Sequence, residues 1–291
     1  MKRFIVGLVL AAWAQVSLAL APYLAGEKQP AGDVKTQLEQ VERKLQAEGF
    51  MTVGRHLPRG LPNYGSLIVT DRALLDALGA AGGVAIVGAG VRVGVKSDGT
   101  VSYMNPDYWY RAYLRGGFAG AQPAVRSVQE RLGKALGAGA GFGGDVPAAD
   151  LANYRYMFGM ERIDSLRNEL RGFTSFEEAL RTVQDNLAKG VAGTAKVYEV
   201  ILPERRLAVI GVALNDPEQG EAWWAGKIGP DHVAALPYEI YIVGSTVYAM
   251  YARYRIALSW PALGMGQFMG IVRAPDVIHT TMGKLAGVGG P

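Results

Sequence analysis

The sequence predicts an α+β fold of two similar modules, each an antiparallel sheet covered by helices in a two-layer arrangement. Glycine makes up 39 of the 291 residues, about twice its usual share, which favours many turns over long helices. Two amphipathic helical segments begin at Asp33 and Ser175. Each is followed by a strand-turn-strand pattern, at residues 90–104 and 238–250.

The N-terminus predicts a secretory signal over residues 1–19. Met1-Lys2-Arg3 is basic, residues 4–14 are apolar, and Ser17-Leu18-Ala19 has the small-x-small form of a cleavage site. We therefore expect cleavage after Ala19 and a periplasmic or secreted protein. The alternative is an uncleaved anchor, because residues 4–21 approach the length of a membrane span. Contact with a membrane is expected only through such an anchor.

Charge and cysteine content exclude several classes of function. The formal charge of +4 falls to about +2 without Lys2 and Arg3, and the remaining basic residues are scattered, so no nucleic acid is expected as a partner. The absence of cysteine excludes thiol nucleophiles, disulfides and covalent haem. A hydrophobic content of 49% is enough for a sizeable core.

The two helical segments have matching signals. Apolar residues recur at helical spacing from Val34 to Leu45, and again from Phe176 to Leu187. Ser175-Phe176-Glu177-Glu178 has the form of a capping box. Gly49 and Gly190 follow the two segments at the positions where helices end.

The strand patterns and the chain ends also match. Residues 90–95 and 238–243 each predict a strand that leads through a glycine turn into a return strand. Gly133-Lys134-Ala135-Leu136-Gly137 resembles Gly283-Lys284-Leu285-Ala286-Gly287. We therefore predict a duplication, with module one at 33–137 and module two at 174–287. The alternative is two ordinary α+β domains that are alike by chance.

The segment 138–173 is predicted to connect the modules. Its glycine-rich beginning, at residues 137–144, indicates a flexible loop. Residues 147–170 carry apolar side chains at helical spacing and predict a packed helix. Each module is expected to cover one face of its sheet with helices and to leave the other face polar.

Three stretches of module two resemble the DUF302 family of small α+β domains. They are the run 175–189, the strand 195–200 with Pro203, and Leu236-Pro237-Tyr238-Glu239-Ile240. The resemblance implies two divergent copies, the second the clearer match. Family members often have a cysteine at the position of Tyr238, so a thiol function cannot apply here. Because some relatives occur beside sulfur-oxidation proteins, the resemblance also implies a link to sulfur-compound metabolism.

Known catalytic and cofactor motifs are missing. Gly88-Ala89-Gly90 leads into an alternating strand rather than a helix, which argues against dinucleotide binding. His56, His232 and His279 are far apart and lack the spacing of metal ligands, so we expect no metal and no cofactor. An enzyme would need a site that His and carboxylate groups form only in the folded chain.

Methionine spacing suggests one alternative. Met157 and Met160 are three residues apart and Met265 and Met269 four apart, and His279 and Met282 could lie one helical turn apart. Thioethers bind Cu(I), although methionine more commonly fills gaps in a core.

Arginines among aromatic residues give the candidate ligand site. A strand over 247–258 would place Tyr251, Arg253 and Arg255 on one face, and Arg111 and Arg115 would approach from module one. Guanidinium groups between aromatic rings can hold a small anion. The alternative is a solvated strand face, and Trp223-Trp224 is either core or a partner surface.

These observations favour a non-catalytic binding or interaction protein, whose inter-module cleft holds a small anion or a partner protein. The alternatives are an enzyme with an assembled His/carboxylate site and a Cu(I)-handling protein. The sequence does not fix the oligomeric state.

Overall fold

The computed structural model describes residues 18–289. Residues 1–17, almost the whole predicted signal segment, therefore lie outside the described residues. Within the described range, no helix is both long enough and apolar enough to cross a membrane. The predicted α+β class is confirmed, because helices surround two open antiparallel sheets.

Thirteen strands and ten α-helices are formed by residues 18–289. The strands are β1 (Ala19–Leu20), β2 (Tyr23–Ala25), β3 (Met51–His56), β4 (Tyr64–Thr70), β5 (Val91–Lys96), β6 (Val101–Met104), β7 (Gly141–Phe142), β8 (Val146–Pro147), β9 (Glu169–Gly172), β10 (Thr194–Leu202), β11 (Leu207–Leu214), β12 (Tyr238–Val243) and β13 (Thr246–Ala249). The helices are α1 (Val34–Ala47), α2 (Arg72–Ala81), α3 (Pro106–Leu114), α4 (Phe118–Leu136), α5 (Ala148–Leu151), α6 (Phe176–Ala188), α7 (Glu221–Ile228), α8 (Ala252–Ser259), α9 (Met265–Met269) and α10 (Ala274–Leu285). The 3-10 segments are Gly83–Ala89, Arg115–Gly117, Leu166–Asn168, Val191–Gly193, Pro203–Arg205 and Pro230–Ala235.

The two large sheets share the order of five strands, and β7 adds a sixth strand to the first sheet. One sheet runs β3-β4-β5-β6-β2-β7 and the other β10-β11-β12-β13-β9, while β1 pairs separately with β8. In each sheet the strand that precedes the first helix, β2 or β9, lies beside the fourth strand of the series. This order is compatible with the predicted duplication. Strands β2 and β9 lie outside the predicted ranges 33–137 and 174–287.

The strand registers match as well. The first strands, β3 and β10, each carry a bulge, at Val53 and Val197. The residue after each bulge can be followed across its sheet through the paired residues of the next two strands. This path leads to Arg92 in β5 of the first sheet and to Glu239 in β12 of the second, so these two residues occupy equivalent positions. The equivalence is also compatible with duplication, which stays a prediction.

The predicted helix starts are confirmed at α1 and α6. The Asp33 side chain accepts a hydrogen bond from the Thr36 amide at 3.0 Å. The Ser175 hydroxyl accepts one from the Glu178 amide at 3.1 Å. Each side chain satisfies an amide that the first helical turn leaves without a partner.

Both faces of each sheet are covered, unlike the polar outer face that was expected. Helix α1 packs on one face of the first sheet, and the 3-10 segment Pro230–Ala235 of the other half packs on the opposite face. A Cβ atom at Gly94 would clash with the Val233 side chain and lie 3.0 Å from the Ala234 amide nitrogen, so the close approach favours glycine. The segment Gly83–Ala89 packs in turn on β11 and β12. Each half thus completes the core of the other.

The predicted connector helix over 147–170 is wrong. Only α5, at Ala148–Leu151, and the short 3-10 segment Leu166–Asn168 form there. Two residues of the predicted apolar face, Phe158 and Leu166, are 98% and 92% exposed. Gly159 takes a positive φ of 80°, which a continuing helix could not accept.

The glycine-rich run, which was predicted to be a flexible loop, packs closely against neighbouring backbone segments. Its Gly141 lies in β7, which pairs with β2. At Gly139 a Cβ atom would meet the Ala25 carbonyl oxygen at 2.6 Å, and at Gly144 it would meet the Ala262 amide nitrogen at 2.8 Å. Glycine serves here to let backbones approach closely.

Candidate functional site

The predicted strand over 247–258 is wrong, and this changes the positions of three predicted site residues. Strand β13 ends at Ala249, and residues 252–259 form helix α8 with Tyr251 at its N-cap. The Tyr251 amide donates to the Asn168 side chain at 2.8 Å. Helix α8 is buried on nearly every side, so it lacks the polar stripe that marks a surface helix. Its arginines and apolar residues alternate in a way that imitates a strand.

Arg255 is buried in the core and is not available to a ligand from solvent. Its Nε donates to Glu239 Oε2 at 3.1 Å, and its Nη2 donates to the Ala235 carbonyl at 2.8 Å. Arg92 Nη1 binds the other oxygen of Glu239 at 2.5 Å. Two guanidinium groups from opposite halves therefore share one buried carboxylate.

Arg111 and Arg115 are engaged by neighbouring groups of the first half and the connector. Arg111 Nε donates to Asp107 at 3.1 Å, and its guanidinium lies over the Phe118 ring. Arg115 Nη1 donates to Asp164 Oδ2 at 2.7 Å. Hydrogen bonds from Arg162 and Arg115 lower the pKa of Asp164 to about 2. Neither arginine meets Arg253, so the predicted four-arginine cleft is not formed.

The predicted cleft between the halves is filled by side chains and close backbone contacts. A Cβ atom at Gly54 would lie 2.6 Å from the Val197 carbonyl oxygen. The Ser66 hydroxyl donates to the Leu236 carbonyl at 3.0 Å, and Tyr108 donates to the Leu258 carbonyl at 2.8 Å. The two halves thus meet in a packed core.

One predicted residue, Arg253, lies at a cavity. The cavity has a volume of about 50 Å³ and mostly apolar walls from the connector, helix α8 and the α9 region. Its lining residues are Tyr156, Met160, Glu161, Arg253, Tyr254, Ile256, Ala257, Leu263, Met265 and Phe268. The Tyr156 hydroxyl donates to the Leu263 carbonyl at 3.0 Å and joins two of the walls.

Polar groups gather at one side of this cavity. Arg253 Nη1 lies 3.9 Å and Arg167 Nη1 lies 3.7 Å from Glu161 Oε1. Arg167 also donates to the Tyr251 hydroxyl at 2.9 Å, and that hydroxyl donates to Asp276 at 3.2 Å. The Arg253 side chain is 39% exposed. Apart from its ion pair with Glu161 and its position over the Tyr251 ring, its guanidinium makes no hydrogen bond to residues 18–289.

Glu161 is the buried polar group of the cavity. Its side chain is only 13% exposed. Its Oε2 atom is buried and has no hydrogen-bond partner among the described residues. A buried acceptor without a donor carries a desolvation cost. We call Tyr251, Arg253, Arg167, Glu161 and the cavity walls the Arg253 site.

Two of the three histidines lie apart from this site, and the third borders it. His56 Nε2 is 2.6 Å from Glu221 Oε1 in a buried pair across the two halves, and neither residue lines the cavity. His232 stacks on Trp260, with Nδ1 3.2 Å from the Ser259 carbonyl, and burial lowers its pKa. His279 lies against Tyr251 at 5.5 Å between ring centroids. His279 and Asp276 both contact Tyr251, but no histidine lines the cavity.

The Cu(I)-handling alternative would require methionine and histidine side chains to lie together, and only the methionines do so. Met160 and Met265 line the same cavity, but no histidine joins them there. No group of three or more His, Asp or Glu residues that could hold a metal ion occurs in the described part of the chain.

Sequence reasoning found Arg253 and Tyr251 but missed Glu161 and Arg167. Met160 and Met265 were noted for their spacing, and they turn out to face one cavity. Glu161 and Arg167 lie in the connector, which the sequence misread as a helix. Glu161 and Arg253 are far apart in sequence, and no local sequence pattern indicates that the fold brings them together.

No family model, curated protein or solved structure matches this chain. The resemblance to DUF302 therefore stays a prediction. At the position where that family often has cysteine, the buried Tyr238 donates its hydroxyl to the Met250 carbonyl.

Proposed function

We propose that this chain is an exported, non-catalytic binding protein, which holds a small molecule with an apolar group and an anionic group at the Arg253 site. The observation that carries the proposal is an apolar cavity bordered by a guanidinium whose donors are free among the described residues. Small-molecule sites commonly combine apolar walls with a few converging polar groups.

The arginine beside the cavity favours an anionic group. Arg167 and Arg253 both lie within 4 Å of one Glu161 oxygen, but Arg167 also donates to the Tyr251 hydroxyl whereas Arg253 donates no hydrogen bond to residues 18–289. A ligand carboxylate or sulfonate could accept hydrogen bonds from the Arg253 guanidinium. A guanidinium can bind such an anion through two parallel hydrogen bonds.

The size of the cavity limits the apolar group. A volume of about 50 Å³ has room for about three or four groups the size of a water molecule. A short aliphatic chain or a thioether fits this limit. Met160, Met265 and Phe268 line the walls, and methionine adapts readily to different apolar shapes.

Calorimetry with short carboxylates and sulfonates tests the proposal. We expect Arg253→Ala to weaken binding by about 1.5 to 3 kcal/mol, the value of a charge-assisted hydrogen bond, with little change in thermal stability. Arg43→Ala, which removes an exposed arginine on α1, is the matched control and should bind as the parent does. Equal affinity of the parent and Arg253→Ala for every compound would refute the proposal.

A further inference from the structure

We infer that the ligand of the Arg253 site is the C-terminal residue of a partner protein, with its apolar side chain in the cavity and its α-carboxylate on Arg253. The inference rests on the proposed function, because such a residue presents the same apolar and anionic groups as the small molecule proposed there. It adds a surface around the cavity that the residues before the terminus would cover.

Exposed apolar side chains are concentrated in the stretches that form the cavity. Among residues 18–289, six of the ten large apolar side chains that are exposed come from the stretches 157–166 and 265–272. They are Met157, Phe158, Leu166, Met265, Met269 and Val272. The same two stretches supply cavity walls at Met160, Met265 and Phe268. Exposed apolar surface of this kind is typical of a contact with another molecule.

The chain path places four of these side chains beside the cavity. Phe158, which is almost fully exposed, precedes the lining residue Met160 by two positions. Met269 directly follows the lining residue Phe268, and Met265 lines the cavity with 50% of its side chain exposed. We call the apolar border the set Met157, Phe158, Met265 and Met269.

A free small molecule would leave the apolar border in water. The cavity of about 50 Å³ has room for a single short side chain. A polypeptide that ends in the cavity continues beyond it, so the residues before the terminus would lie against the border. Removing this apolar surface from water favours association. Capture of a C-terminal carboxylate is also a recurring mode of peptide recognition.

Arg253 supplies the contact for the carboxylate. It lines the cavity, and its guanidinium donates no hydrogen bond to residues 18–289. In a C-terminal residue the carboxylate and the side chain are attached to the same carbon atom, so one residue can reach both the guanidinium and the apolar walls. The carboxylate of an internal aspartate or glutamate has no such apolar neighbour. The geometry thus favours a chain terminus over an acidic segment.

A membrane surface fits the site less well. Anionic lipids attract clusters of unpaired basic residues. Here Arg115 and Arg162 are both paired with Asp164 at 2.7 Å, and Arg167 donates to the Tyr251 hydroxyl. The cavity has room for about three or four groups the size of a water molecule, which is too little for the acyl chain of a lipid.

Calorimetric titrations of the parent protein with four probes separate the contributions. The first is the peptide N-acetyl-Ala-Phe-Ala-Leu with a free carboxylate. The others are its C-terminal amide, the same peptide ending in Gly, and N-acetyl-leucine, which has no preceding residues. We expect the first peptide to bind at least about ten-fold more tightly than the amide and the Gly peptide, and at least about five-fold more tightly than N-acetyl-leucine.

Variants test the source of each preference. Arg253→Ala should remove the preference for the free acid over the amide. Phe158→Ala and Met269→Ala should each reduce the advantage of the peptide over N-acetyl-leucine. Because Phe158 is almost fully exposed, its replacement removes no core contact. Met51→Ala changes an exposed methionine of β3 that does not line the cavity, so this control should keep the advantage.

The outcomes distinguish this inference from the proposed function. If N-acetyl-leucine binds as tightly as the peptide and Arg253→Ala weakens both, the proposed function holds and the inference is wrong. Equal binding of the free acid and the amide also overturns the inference, because the terminus is then not recognised. So does binding to phosphatidylglycerol vesicles that Phe158→Ala abolishes, when no peptide binds. If neither the peptides nor any short carboxylate or sulfonate binds, both are wrong.

Discussion

At the residue scale, the most consequential group is Glu239, whose buried carboxylate faces two buried guanidinium groups. Burying charges is costly unless each is paired and hydrogen-bonded. Arg92 and Arg255 meet this requirement through Glu239 and through the carbonyls of Ala234 and Ala235. Arginines chosen from sequence as ligand contacts can therefore belong to the core, and only their depth in the fold separates the two roles.

Glu239→Gln should lower the free energy of unfolding by about 3 to 5 kcal/mol, because it leaves two buried guanidinium groups without a negative partner. Urea denaturation measures the change. Asp76→Asn is the control, since its ion pair with Arg72 is exposed and should contribute nothing measurable. A loss below about 1 kcal/mol in Glu239→Gln would show that the cluster is not stabilising in this way.

His232 should make stability depend on pH. Its ring stacks on Trp260, and because a carbonyl only accepts, Nδ1 carries the proton that it donates to Ser259. Burial lowers the His232 pKa below the ordinary value of 6.5. The unfolded chain thus takes up a proton near pH 6.5, while the folded chain does so only at lower pH. This contribution is complete above pH 6.5 and is lost as the pH falls.

We therefore expect His232→Phe, which keeps a ring in the stack, to flatten the decrease in melting temperature between pH 7 and pH 5. His279→Phe removes a histidine beside Tyr251 and serves as the comparison. An unchanged pH profile in His232→Phe would contradict the assignment of this contribution to His232.

At the scale of elements, a glycine of the glycine-rich run and a glycine of helix α4 should respond oppositely to alanine. Gly144 has a φ of 110°, and a Cβ atom there would lie 2.8 Å from the Ala262 amide nitrogen, so Gly144→Ala should destabilise the fold by more than about 1 kcal/mol. Gly120 lies inside α4 with open space around it, so Gly120→Ala should stabilise by about 0.5 to 1 kcal/mol. Urea denaturation curves of both variants measure the change in the free energy of unfolding. Equal effects would mean that close packing does not explain the glycine-rich run.

The elements also show what the sequence could and could not predict. Helices α1 and α6 and the hairpins β5-β6 and β12-β13 were predictable, because their caps, apolar spacing and glycine turns are local signals. Helix α8 was not, because a helix buried all round shows no amphipathic stripe. The helix predicted for the connector was wrong for the opposite reason. Its apolar residues have helical spacing, but residues such as Phe158 and Leu166 are exposed and no continuous helix forms. Because Glu161 and Arg167 lie in this connector, the sequence did not predict that they belong to the candidate site.

At the scale of the whole molecule, each half completes the core of the other. The segment Pro230–Ala235 lies on the first sheet and Gly83–Ala89 on the second, while Arg92 and Glu239 join equivalent positions of the two sheets. A half alone would expose a sheet face and leave a buried charge without its partner. The two halves should therefore unfold together as one cooperative unit.

Hydrogen exchange can test this cooperativity directly. In the parent, the amides of β5 in the first half and β12 in the second should exchange with the same free energy of opening, because both open only in global unfolding. Glu239→Gln changes a residue of β12 alone, and it should still lower the protection of β5 by the same amount as that of β12. The exposed control Asp76→Asn should change neither. If β5 kept its full protection while β12 lost its own, the halves would be separate cooperative units, and the packed contact between them would not couple their stability.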